Sequence, residues 1–98
     1  MREHITIYTI MRTGADADRG SFPPASAEGS FLSMEAAQTH LQELIRKEKD
    51  EMYIPFDEKD YREEQDDTFW EAYEDGYAAA WFTRLEIVKS ELMEESAT

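Results

Sequence analysis

The sequence predicts one α+β domain, a small antiparallel sheet of about three strands with one or two helices packed on one face. Three observations predict it. Between Ser33 and Met52 the apolar residues Met34, Ala37, Leu41, Leu44, Ile45 and Met52 recur at helical spacing. On either side, His4–Met11 and Phe82–Leu92 carry β-branched and alternating apolar residues. The 98 residues are 41% hydrophobic and include five Tyr, five Phe and two Trp, enough for one core. The domain is expected over residues 1–93, with residues 94–98 a frayed tail.

In His4–Met11, Ile5 and Ile7 point one way and Tyr8 and Ile10 the other, so both faces are apolar and a central strand is expected. Thr13–Gly29 holds Gly14, Gly20, Pro23, Pro24 and Gly29 and has little periodicity, which predicts a long loop pinned by Phe22. Glu28–Leu32 reads as a short strand antiparallel to the first. The helix follows: Ser33 can accept from a first-turn amide, Glu35 lies near the positive end of the dipole, and Arg46, Lys47 and Lys49 lie near the negative end.

Pro55 ends any continuation of that helix, and Tyr53, Ile54 and Phe56 are expected to fold back onto the core. Asp57–Asp67 is a charge run, read as a solvated loop or short surface helix. For Thr68–Trp81 two signals compete. Phe69, Trp70, Tyr73, Tyr77, Ala80 and Trp81 fit a helical period, with Thr68-x-x-Glu71 as a capping box. Asp75-Gly76 between aromatics is a hairpin signal. The helix is preferred, because six positions match its period and alanines favour it. In the final strand, Thr83, Leu85 and Ile87 share one face and Arg84, Glu86 and Val88 the other.

Charge narrows the function classes. The formal net charge is −13, from 23 acidic and 10 basic residues. Lys47–Asp75 holds 13 acidic and four basic residues, so 13 − 4 = 9 of the 13 excess negative charges fall there. Such a field repels nucleic acid and anionic membrane and attracts cationic surfaces. Without cysteine there are no disulfides or thiolate metal sites. No apolar run approaches the length of a membrane span. The N-terminus shows no secretory pattern, so a cytoplasmic location is expected.

The chemistry-bearing residue types give little pattern. His40 and Glu43 form an i, i+3 pair on the helix, two ligands where a metal site needs a third. They define the alternative reading, a small enzyme or metal-binding protein using His40, Glu43 and nearby carboxylates. Asp16-Ala17-Asp18-Arg19-Gly20 opens like a calcium loop, but the third ligand position is Gly20 and the twelfth is Ala27. No Gly-x-Ser-x-Gly elbow or phosphate-cradling Gly-Lys-Ser/Thr motif occurs. No catalytic residue, cofactor or metal is therefore assigned.

Carboxylates interleaved with aromatics remain. Asp57, Glu58, Asp60, Tyr61, Glu63, Glu64, Asp66, Asp67, Glu71, Glu74 and Asp75 are the candidate partner-binding residues, with acids for steering and aromatics for anchoring. Helical carboxylates at i, i+3 and i+4 lie about 5–6 Å apart, close enough to imitate a line of phosphates.

Gly29-Ser-Phe-Leu-Ser-Met-Glu-Ala-Ala, Phe69-Trp-Glu-Ala-Tyr-Glu-Asp-Gly-Tyr-Ala-Ala and the Thr13–Gly20 stretch resemble small uncharacterised acidic proteins of mobile elements in gut bacteria. The resemblance carries no site residues. It implies a context in which acidic inhibitors of host defence occur. The expected function is a non-catalytic acidic protein-binding module. Its partner is a basic protein, in the sharpest form a nucleic-acid-binding protein inhibited by a DNA mimic. A homodimer is the third expectation.

Overall fold

In the computed structural model, which describes residues 4–76 and 79–93, one helix lies on one face of a five-stranded antiparallel sheet. The elements are β1 (His4–Asp16), β2 (Ser26–Phe31), α1 (Met34–Glu51), β3 (Tyr61–Gln65), β4 (Phe69–Glu74) and β5 (Trp81–Met93). The sheet order is β2-β1-β5-β4-β3. The α+β class holds, but the sheet has five strands where about three were expected. Both extra strands come from the acidic stretch.

β1 is central, as its two-sided apolar pattern requires, with β2 antiparallel on one side and β5 on the other. It continues through Thr13–Asp16, where a loop was expected. Gly14 is not a turn residue: it pairs with Thr83, and a Cβ there would sit 3.0 Å from the Phe82 carbonyl oxygen. The absent side chain permits close strand approach. The connection that remains is ordered by a helical turn at Ala17–Arg19, closed by Gly20 at φ 67°, and by a bridge between Asp16 and Ser21. Phe22 does not pin it, being 68% exposed.

Ser33 caps α1 as expected, its Oγ accepting from the Ala36 N–H at 3.1 Å. Ala37, Leu41 and Ile45 are the buried stripe, set against Ile10 of β1, Leu85 and Ile87 of β5, and Trp70 and Ala72 of β4. The β1–β2 register shifts between Ile10 and Met11. That irregularity leaves Glu28 out of the pairing and lets it meet Arg12, which also donates to Glu48 of α1 at 2.9 Å. Arg12 thus ties helix to sheet.

The helix expected over Thr68–Trp81 is instead β4 and the start of β5. Trp70 and Ala72 are buried while Phe69, Glu71 and Tyr73 lie on the opposite face, a period of two. The aromatic spacing fits both periods. The hairpin decides between them, because the Asp66 carboxylate takes the Thr68 and Phe69 N–H groups and the Thr68 hydroxyl, closing the β3–β4 turn. β4 and β5 do pair antiparallel, as the Asp75-Gly76 signal suggested, but Tyr73 pairs with Phe82, so the connection is longer than a two-residue turn; Gly76 has φ 135°. Tyr77 of the expected helix and the expected 94–98 tail lie outside the described residues.

After α1, Phe56 packs on Trp81 with ring centroids 5.4 Å apart, whereas Tyr53 is 71% exposed and does not fold back. No described helix is long and apolar enough to cross a membrane.

Candidate functional site

The eleven predicted residues lie on or beside the outer hairpin β3–β4, and the pleat divides them. Tyr61 and Glu63 point to the α1 face, since Glu63 pairs with Ala72; Arg62 and Glu64 point to the bare face, since Glu64 pairs with Glu71. A single acidic face, or a helical line of carboxylates, does not form there.

The fold itself uses most of these acids. Glu63 accepts from Trp70 Nε1 at 2.7 Å, from Lys49 Nζ at 2.9 Å and from the Tyr61 hydroxyl at 3.3 Å. Burial opposes its ionisation, yet the bonds from Lys49 and Trp70 prevail and hold its pKa below the ordinary carboxylate value. Burial, and then the Glu63 charge, push the Tyr61 phenol up to about 12. Asp66 is held down by the Thr68 backbone and hydroxyl bonds that form the turn.

On the bare face, Arg84 bridges Glu71 and Glu86, each at 2.8 Å, with its guanidinium 4.4 Å from the Phe69 ring centroid. Glu74 accepts from the Ala80 N–H at 3.0 Å, Asp57 from the Lys59 N–H at 3.2 Å, and Asp75 pairs with Arg62 at 3.3 Å.

Four predicted acids remain. The side chains of Glu58, Asp60, Glu64 and Asp67 make no ion pair or hydrogen bond among the described residues. All four belong to the segment from the helical turn at Glu58–Asp60, through β3, to the β3–β4 turn. β3 is the last strand of the sheet, so its outer backbone groups face away from any described strand. Uncompensated carboxylates therefore border an open strand edge.

The topology also builds a cleft that sequence reading missed. Asp16, Glu48, Glu51, Tyr53 and Trp81 line a cavity of about 350 Å³ between the end of α1 and the β1/β5 ribbon. The guanidinium of Arg19 lies 5.6 Å from the Tyr53 centroid and its Nε 3.5 Å from Asp16. Carboxylates beside aromatic rings suit a cationic side chain. These residues are scattered from 16 to 81, so no local spacing could have announced the cleft.

His40 Nδ1 and Glu43 Oε2 are 3.7 Å apart on α1, and the His40 ring leans on Phe31 at 5.1 Å. Among the described residues no group of three His, Cys, Asp or Glu side chains is placed to hold a metal ion. Comparison with protein-family models, curated proteins and solved structures finds no match for the chain.

Proposed function

We propose that the protein is a non-catalytic binding module whose β3 edge docks on a basic protein. The observation that carries this reading is the placement of Glu58, Asp60, Glu64 and Asp67, four carboxylates without an ionic partner among the described residues, along the outer edge of the last strand described in the sheet. An extended basic segment can add to such an edge. Main-chain bonds would supply affinity, and charge would supply steering and register. The cleft lined by Asp16, Glu48, Glu51 and Tyr53, with Arg19 beside the Tyr53 ring, offers a second place for a cationic side chain.

Imitation of duplex DNA is the weaker form. On the bare face Arg62 and Arg84 lie among Glu64, Glu71 and Glu86, so the charges are mixed in sign rather than forming a line.

The test uses an extended peptide alternating lysine with β-branched residues, titrated into labelled protein at low and high salt. Amide shifts confined to Tyr61–Gln65 and the flanking turns, lost at high salt and in the Glu58→Lys/Glu64→Lys/Asp67→Lys variant, are expected. The variant should stay folded and melt no lower than the native chain, because none of the three carboxylates holds another described group. Binding that persists in the variant, or shifts elsewhere, rejects the edge. Capture from a bacterial lysate with competition by DNA then separates the decoy form from a general basic partner: only the decoy releases its partner to DNA.

A further inference from the structure

The long β1/β5 ribbon outruns the rest of the sheet. β1 and β5 pair without interruption from His4↔Met93 to Asp16↔Trp81. β2 joins β1 only from Tyr8 onward. β4 joins β5 only up to Phe69↔Glu86, with one further bond from the Ile87 N–H to the Thr68 carbonyl at 2.7 Å. Beyond it, Val88–Leu92 has no strand on its outer side among the described residues. Val88 is 40% exposed and Leu92 55% exposed.

We propose that this outer edge of β5 is a homodimer interface, in which two copies pair antiparallel about Ser90. The backbone phase fits. Ile87 directs its N–H outward to β4, so by alternation Lys89 and Glu91 direct theirs to the open edge, while Val88, Ser90 and Leu92 bond to β1. Two copies related by a two-fold axis at Ser90 place Lys89 opposite the second copy's Glu91, and Glu91 opposite its Lys89. Each of these pairs exchanges two main-chain hydrogen bonds.

The side chains fit the same register. Lys89 and Glu91 lie on the α1 face, on the alternation that brings Leu85 and Ile87 into the core, so opposite charges meet across the interface twice. Neither makes an ion pair among the described residues. On the bare face Val88 meets the second copy's Leu92, also twice, beside Ile5, which is 40% exposed. Only one strand sequence is involved, so the match is self-complementary, as an isologous contact requires.

The charge of −13 on each copy opposes association, but this tip carries one positive and one negative residue between Val88 and Leu92. Pairing runs β1-β5-β5-β1 in one continuous sheet, stops at Val88 where Thr68 takes over, and leaves the β3 edge open.

Sedimentation of the full chain over a range of concentrations tests this. The native protein should pass from monomer to dimer mass. Lys89→Glu and Glu91→Lys alone each set like charges opposite twice, and each should weaken association by about tenfold or more. Lys89→Glu/Glu91→Lys together restore opposite pairs and should restore the dimer. That recovery cannot arise from misfolding or from an interface elsewhere. A monomer at every concentration, single variants that still associate, or a double variant that stays monomeric would each overturn the proposal.

Discussion

Glu63 shows how one residue can be read correctly as charged and wrongly as free. Its carboxylate joins α1, β3 and β4 by taking bonds from Lys49, Tyr61 and Trp70. Trp70 is fully buried, so its indole N–H must find an acceptor, and Glu63 is that acceptor. Nothing in the run Tyr61-Arg-Glu-Glu-Gln-Asp-Asp separates Glu63 from Glu64; only strand phase does. Replacing Glu63 by Gln keeps an acceptor for Trp70 and removes the charge. The expected cost is about 1 kcal/mol, at the low end for a charged bond because Lys49 is half-exposed. The pH dependence follows from the lowered pKa. Its stabilisation is complete above the unfolded carboxylate value and is lost as pH falls through the lower folded value. Thermal melts from neutral to acid pH should therefore fall less steeply for Glu63→Gln than for the native chain. Parallel curves would remove Glu63 from the acid-sensitive set.

At the scale of elements, legibility followed the uniqueness of the period. α1 was legible to its cap, because Ser33 and the stripe Ala37, Leu41, Ile45 agree and no strand pattern competes. β1 and β5 were legible in their faces but not their lengths. β4 was misread because Phe69, Trp70 and Tyr73 satisfy both periods, and the hydrogen bond that the Phe69 N–H donates to an acid outside the segment, Asp66, settles the matter. Gly14 is the sharper lesson. Glycine marks turns and close backbone approaches alike, and only the presence of Thr83 across the ladder distinguishes them. Gly14→Ala should therefore destabilise. Its Cβ would press on the Phe82 carbonyl, a backbone atom that cannot rotate away. We expect a lower melting temperature and faster amide exchange along Thr13–Asp16 and Trp81–Arg84. An unchanged melt would show that the two strands separate slightly at no cost.

For the whole molecule, charge and shape have to be weighed together. The protein measures 57 × 26 × 20 Å, and among the described residues α1 packs on one sheet face and leaves the other uncovered. An elongated body keeps like charges farther apart than a sphere would, yet at −13 the self-repulsion still opposes folding. Salt acts on two opposing contributions. It weakens exposed ion pairs such as Arg19–Asp16 and Lys59–Asp57, worth about 0–1 kcal/mol each. It also screens the repulsion among acids that have no partner among the described residues, such as Glu58, Glu64 and Asp67, over a Debye length of about 8 Å at physiological ionic strength. The half-buried Arg12 fork is less exposed to screening. Because repulsion sums over all unpaired acids while the exposed pairs are few and weak, the repulsive contribution should win. Melting temperature should rise between low and moderate sodium chloride, by about 4–8 °C for each kcal/mol of repulsion removed. The Glu58→Lys/Glu64→Lys/Asp67→Lys variant, which brings the net charge from −13 to −7, should show a smaller rise. A fall in melting temperature with salt would mean that the ion pairs, not the unpaired acids, dominate the electrostatics of folding.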